Sequence, residues 1–143
     1  MKLLKTIRVG RRKDLKVYHD NFVYYQPNDH ECGDCGIRAV AKALHSSWDV
    51  ALRELYNTAI KMKEPPGSCD NITETLKPHG WQWIAIKPKR GEKRPTVSEF
   101  AKSHPDGNYI CRVSGHLVCA QNGFYYDIWD SGDKSLYGYW KEM

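Results

Sequence analysis

The stretch NDHECGDCGIRAVAKAL, Asn28 to Leu44, holds the junction from which the rest of the chain can be read. Ile37, Val40, Ala41 and Leu44 recur at helical spacing, which predicts a helix from Cys35 to about Leu44 with a loop before it. Cys35 therefore stands in the first turn, where unpaired backbone N–H groups and the positive end of the helix dipole favour a thiolate. Gly33 and Gly36 flank it with little bulk, so another backbone can come close. Cys32 lies three positions earlier. A pair at that spacing fits a metal clip, a redox couple, or one nucleophile beside a spare thiol.

Reading outward, Leu3–Val9 and Val17–Tyr25 are rich in Ile, Val, Phe and Tyr and predict strands. Ser46 or Ser47 can cap a second helix, with Asp49 in its first turn. Trp48, Leu52, Leu55, Ala59 and Met62 mark its apolar face, and Pro65-Pro66-Gly67 ends it. Asp70 or Asn71 is the expected cap of a short helix through Leu76, closed by Pro78 and Gly80. Trp81–Ile86 reads as a strand and Val97–Lys102 as a short helix. Tyr109–Val113, Leu117–Gln121, Phe124–Trp129 and Leu136–Trp140 read as strands, with Asn122-Gly123 as a hairpin turn. Helices early and an antiparallel sheet late predict an α+β fold.

The 143 residues fit one domain with a single core, with residues 1–25 as basic strands ahead of a core over 26–143. No apolar run is long enough to span a membrane. Met1–Arg8 contains two leucines where a signal peptide needs roughly seven or more apolar residues, so the expected location is a cytoplasm. The five cysteines are then expected as reduced thiols.

The net charge of +5 is unevenly spread. Residues 1–16 hold seven Lys or Arg against Asp14, and Lys87–Pro95 holds five against Glu92. The remainder is mildly acidic. Tracts of this kind suit a nucleic-acid surface, but no aromatics alternate with the bases as a stacking platform requires. Solvated loops and lysine-blunted edge strands are the favoured reading.

A nucleophilic cysteine needs a base, and the base needs an orienting group. His116 opens a predicted strand, and Asp127 follows eleven residues on, in the next hairpin strand. The tight Asn122-Gly123 turn brings these two near each other, and the strand alternation puts Tyr125 and Asp127 on one face. The order is Cys35, His116, Asp127. Cys111 and Cys119, in strands flanking His116, read as core.

These residues resemble the papain-like cysteine peptidase superfamily, and within it the domains that trim leader peptides in bacteriocin-exporting transporters. The matching features are Gln26, Asp34-Cys35-Gly36 with the helix Ile37–Leu44, then His116 and Asp127. GDCGIRAVAKAL, SSWDVALREL and HLVCAQNGFYYDIWDS are also similar to small proteins of phages and Gram-positive prophages. The likeness spans roughly Gln26 to Trp140. It implies a cysteine-peptidase fold with helices packed on a C-terminal antiparallel sheet, and a peptide or protein substrate in a bacterial host cytoplasm. It also implies an oxyanion-hole glutamine about six residues before the nucleophile. Six before Cys35 is Asp29, a poor donor. Gln26 is nine before and Asn28 seven before, and these two stand equal as donors. Six before Cys32 is Gln26, which keeps Cys32 as the alternative nucleophile. Cys35 is favoured because the helix pattern and the Asp-Cys-Gly match both begin there.

The rival chemistries fit less well. Zinc held by Cys32 and Cys35 needs a second pair, and Cys119 and His116 point to opposite faces of a strand. A thioredoxin-like couple needs a βαβ setting that is absent. No metal or cofactor is expected. The serious alternative is a catalytically silent scaffold of the same fold that binds a host protein or, less favoured, nucleic acid, since fold does not fix function.

Overall fold

The computed structural model describes residues 2–10 and 12–143. Arg11 of the first basic tract lies outside them, as do the side chains of Arg12 and Lys13. The described residues form an α+β fold, with four α-helices and a six-stranded mixed sheet among them. A hairpin of β1 (Lys5–Val9) and β2 (Arg12–Val17) comes first, followed by the short β3 (Phe22–Tyr24). Helices α1 (Cys35–Ala43), α2 (Trp48–Met62) and α3 (Cys69–Leu76) follow. Then come β4 (Trp81–Ala85), α4 (Val97–Ser103), β5 (Asn108–Val113), β6 (His116–Gln121), β7 (Phe124–Asp127) and β8 (Gly138–Glu142). The sheet order is β3-β7-β6-β5-β8-β4.

Local chemistry accounts for most boundaries. The Ser47 hydroxyl accepts from the Val50 N–H to start α2. Thr96 and Glu99 form a reciprocal capping box on α4. Asn122 and Gly123 both take positive φ, +53° and +88°, as the β6–β7 turn requires.

Several expectations are corrected. Ser68, not Asp70 or Asn71, caps α3 by accepting from the Asn71 N–H. The Asn71 side chain is instead buried, accepting from the Gly67 N–H and donating to the Leu55 carbonyl. The strand expected over Val17–Tyr25 is broken, because Asp130 takes the backbone N–H groups of Tyr18 and His19. The chain before the break pairs antiparallel with β1, and the chain after it pairs parallel with β7. The sheet is thus antiparallel except at this edge. The strand expected over Phe124–Trp129 stops at Asp127, whose own carboxylate takes the Ile128 N–H.

The sheet separates two apolar layers. On one face α1, α2 and α3 bury Val40, Leu55, Ile72 and Leu76 against Ile110, Leu117, Cys119 and Trp140. On the other, α4 and the docked end of β2 bury Phe100, Leu15 and Val17 against Cys111, Val118 and Tyr125. Each large buried side chain contributes about 1.5–3 kcal/mol. Trp140 is fully buried, and its indole N–H donates to Thr73 Oγ1 at 2.9 Å, tying α3 to the sheet. Among the described residues, no helix is long and apolar enough to cross a membrane.

Candidate active site

Helix α1 lies across β6 with its N-terminus at the strand's beginning. A Cβ added at Gly36 would sit 3.5 Å from Leu117 Cδ1 and 3.7 Å from Ile72 Cδ1. The close seat places Cys35 over the start of β6, where His116 is. The thiol is half-buried, beside His116 and the backbone of Leu117, both of which favour its thiolate. Burial pushes the thiol up. The His116 hydrogen bond, the Leu117 N–H and the charges of His116 and Arg38 outweigh it, and the thiol lies below its ordinary value.

The β6–β7 register explains the next contact. Ala120 faces Tyr125, so one same-face step sets Asp127 level with Val118 and diagonal to His116. His116 Nε2 and Asp127 Oδ2 are 2.6 Å apart. With Nε2–H donating to the carboxylate, Nδ1 is the ring nitrogen left for Cys35. Burial lowers the His116 pKa, but the hydrogen bonds to Asp127 and Cys35 raise it to about 9. Both shifts favour a thiolate beside an imidazolium.

Asp127 is held on every side. Its Oδ2 also accepts from the Ser131 hydroxyl at 2.7 Å, and its Oδ1 accepts from the Ile128 N–H at 2.8 Å and Arg38 Nη2 at 3.1 Å. Arg38 in turn pairs through Nη1 with Asp34, whose second oxygen accepts from the Trp48 indole N–H at 2.9 Å. Asp34, Arg38 and Asp127 are all buried. Trp129 covers His116, with ring centroids 4.9 Å apart.

In the sequence Arg38 fits a pairing with Asp34 at i,i+4 spacing and a plain exposed arginine equally well, and the bond to Asp127 leaves no local trace. The parts played by Trp48, Trp129 and Ser131 were also missed. Trp48-Asp49 and Asp127-Ile128-Trp129-Asp130-Ser131 stood out as a pattern, but pattern alone assigns no contact.

The remaining candidates lie elsewhere. Cys32 is exposed, with its sulfur 3.7 Å from Asn28 Nδ2, and slight burial and Asp34 push its thiol up. Gln26 accepts from the Asn28 N–H through its carbonyl at 3.0 Å. Gln26, Asn28 and Cys32 are not among the residues lining the cleft in front of Cys35. Cys111 and Cys119 are fully buried, and burial holds both thiols up. Cys69, to which the sequence assigned no role, lines the cleft.

That cleft has a volume of about 590 Å³. Gly33 and Gly36 border it beside Cys35, and nothing lies within 4 Å of a Cβ added at Gly33. Leu52, Leu55, Tyr56 and Trp140 give it an apolar wall, and Arg112 and His116 lie on the sheet side. The arrangement can hold an extended chain against a nucleophilic sulfur backed by a base. Among the described residues, no three His, Cys, Asp or Glu side chains are placed to share a metal ion. Comparison with family models, with curated proteins and with solved structures finds no match for this chain.

Proposed function

We propose that this chain is a small cysteine peptidase or amide hydrolase of papain-like architecture, of phage or prophage origin and active in a bacterial cytoplasm. The observation that carries the reading is His116, bonded to Asp127 at 2.6 Å, lining the same cleft as Cys35 and holding its thiol below the ordinary value.

In this mechanism the Cys35 thiolate attacks the carbonyl carbon of a peptide or amide bond. His116, protonated at the start, gives its proton to the departing amine as the C–N bond breaks. The acyl group stays on sulfur as a thioester. Neutral His116 then takes a proton from water as its oxygen attacks, and the acid leaves with Cys35 released as thiolate. Asp127 holds the imidazole with Nδ1 toward sulfur and balances its charge. The Cys35 backbone N–H, at the uncapped start of α1, is one oxyanion donor, and Gln26 or Asn28 is proposed as the second on the strength of the family resemblance.

Iodoacetamide alkylation at about pH 6 tests the reading, since an ordinary thiol of pKa about 8.5 is almost wholly protonated there. Fast labelling assigned to Cys35 by mass spectrometry, and lost in His116→Ala, is the expected result. Fast labelling at Cys32 would move the nucleophile. Slow labelling at every cysteine would overturn the peptidase and leave a scaffold that binds a host protein or nucleic acid.

A further inference from the structure

We propose that the cleft selects a peptide bearing a carboxylate close to the bond to be cut, received by Arg112 with Arg94 behind it. The inference rests on the peptidase reading and adds the chemical class of its substrate.

Among the described residues, the cleft has no free acid. Asp34 is the one carboxylate among its lining residues, and it is buried and already engaged by Arg38 and Trp48. Arg112 is the cleft's lysine-or-arginine cation, exposed at the sheet edge of the opening. Its position is set by register. Arg112 faces Leu117 across β5 and β6, and the next pair is Val113 with His116. A charge carried by a bound chain near His116 therefore passes within reach of this guanidinium.

Arg112 does not stand alone. Its guanidinium lies 5.8 Å from the centre of the Tyr137 ring, and that of Arg94 lies 5.2 Å from the same ring. Arg94 is fixed by donating from Nη1 to the Ile86 carbonyl at 2.6 Å. Tyr137 itself is 42% exposed and donates its backbone N–H to the Arg112 carbonyl. Among the described residues, neither arginine forms an ion pair. Arg38 has two carboxylates. Two guanidiniums on one ring beside an acid-free cleft focus a positive field there. A planar guanidinium presents a fork that matches a carboxylate. The apolar wall of Leu52, Leu55, Tyr56 and Trp140 then suits an uncharged neighbour in the same substrate.

A carboxylate can come from a Glu or Asp side chain or from a free C-terminus, and labelling probes separate the two. Bromoacetyl-peptides and peptidyl chloromethyl ketones reach the two directions along the cleft from Cys35. Each is made with a Gln-bearing and a Glu-bearing arm, blocked at its far end, and the bromoacetyl-peptide also with a Gln-bearing arm that ends in a free C-terminal carboxylate. The full chain is labelled, and each Cys35 rate is divided by the iodoacetamide rate of the same protein. A carboxylate arm is expected to label about fivefold faster than the blocked Gln-bearing arm at low salt. The preference should shrink at physiological salt, fall to about onefold in Arg112→Gln, and survive in part in Arg112→Lys. Whichever arm gains names the source of the carboxylate. Fast iodoacetamide labelling with no carboxylate preference, or a preference untouched by Arg112→Gln and by salt, overturns this inference alone. Slow iodoacetamide labelling of Cys35 removes the peptidase reading and this inference with it. The salt arm uses the unaltered chain and stands even where a variant does not fold.

Discussion

Arg38 and Asp127, 89 positions apart in sequence, meet at 3.1 Å with side chains 5% and 1% exposed. One guanidinium thereby spans the loop before α1 and the end of β7, since its other nitrogen holds Asp34. Removing it leaves two buried carboxylates without their cation. Arg38→Met is expected to destabilise the fold by about 3–5 kcal/mol, because an unpaired buried charge costs more than the pair contributes. Arg38→Lys should recover only part, since an ammonium cannot fork to two acids. Urea denaturation measures both, and a loss below about 1 kcal/mol for Arg38→Met would show that the network relaxes without its centre.

Asp127 acts on sulfur only through His116. In Asp127→Asn the hydrogen bond and charge that hold the His116 pKa at about 9 are weakened, while the burial that lowers it remains. The imidazolium that supports the thiolate should be lost at lower pH. The low-pH iodoacetamide labelling of Cys35 should drop at least about tenfold, with labelling of Cys32 unaltered as an internal reference. Equal Cys35 rates in the two proteins would mean that the thiolate owes nothing to this carboxylate.

Stability should carry a matching pH signature. His116 is raised from 6.5 to about 9 on folding, so its contribution is fully present below 6.5 and is lost as pH rises through 9. Cys35 is depressed from 9.0, so its contribution is present above 9.0 and lost as pH falls through its folded value. Cys35→Ser removes the second effect and leaves His116 with Asp127. Against that background Cys35's share of the rise is gone, so the stability difference made by a further His116→Gln change should be full below 6.5 and shrink as pH rises, ending short of 9. A difference that stays level across this range would mean that His116 does not gain a proton on folding.

Gly138 sits where β8 is squeezed between β4 and β5. A Cβ there would lie 2.7 Å from the Ile84 carbonyl oxygen and closer still to the Trp83 ring. Trp83 is in turn packed on Trp140, with centroids 4.6 Å apart. Neither neighbour is free to move aside. Gly138→Ala should cost about 1–3 kcal/mol by overpacking. Thermal unfolding tests this, and an unchanged midpoint would show that β4 and β8 can part without penalty.

What was legible in the chain was what neighbours in sequence decide. The apolar steps of Ile37, Val40 and Ala41 marked α1, and Asn122-Gly123 marked the hairpin that brings Asp127 to His116. The cap of α3 was misplaced by two or three residues because Ser68, Asp70 and Asn71 are all good caps, and only tertiary burial of Asn71 removes it from the contest. The break after Val17 was invisible for a different reason. Its cause is Asp130, 112 positions from Tyr18. The three-residue β3 is too short to display a period, and its identity as a strand lies wholly in the β7 backbone beside it.

That parallel edge is a closure of very long range. The Tyr25 N–H bonds to the Asp127 carbonyl at 2.9 Å, and Asn21 reaches the Gly123 carbonyl across 102 positions. Closing so long a loop is slow compared with forming α1 or the β6–β7 hairpin. During synthesis from the N-terminus, Cys35 is made long before His116 and Asp127. Until α1 docks on β6 and His116 arrives beside it, the sulfur keeps the acidity of a free cysteine. The low thiol pKa is thus a property of the assembled tertiary structure, and the helix that carries Cys35 does not have it alone.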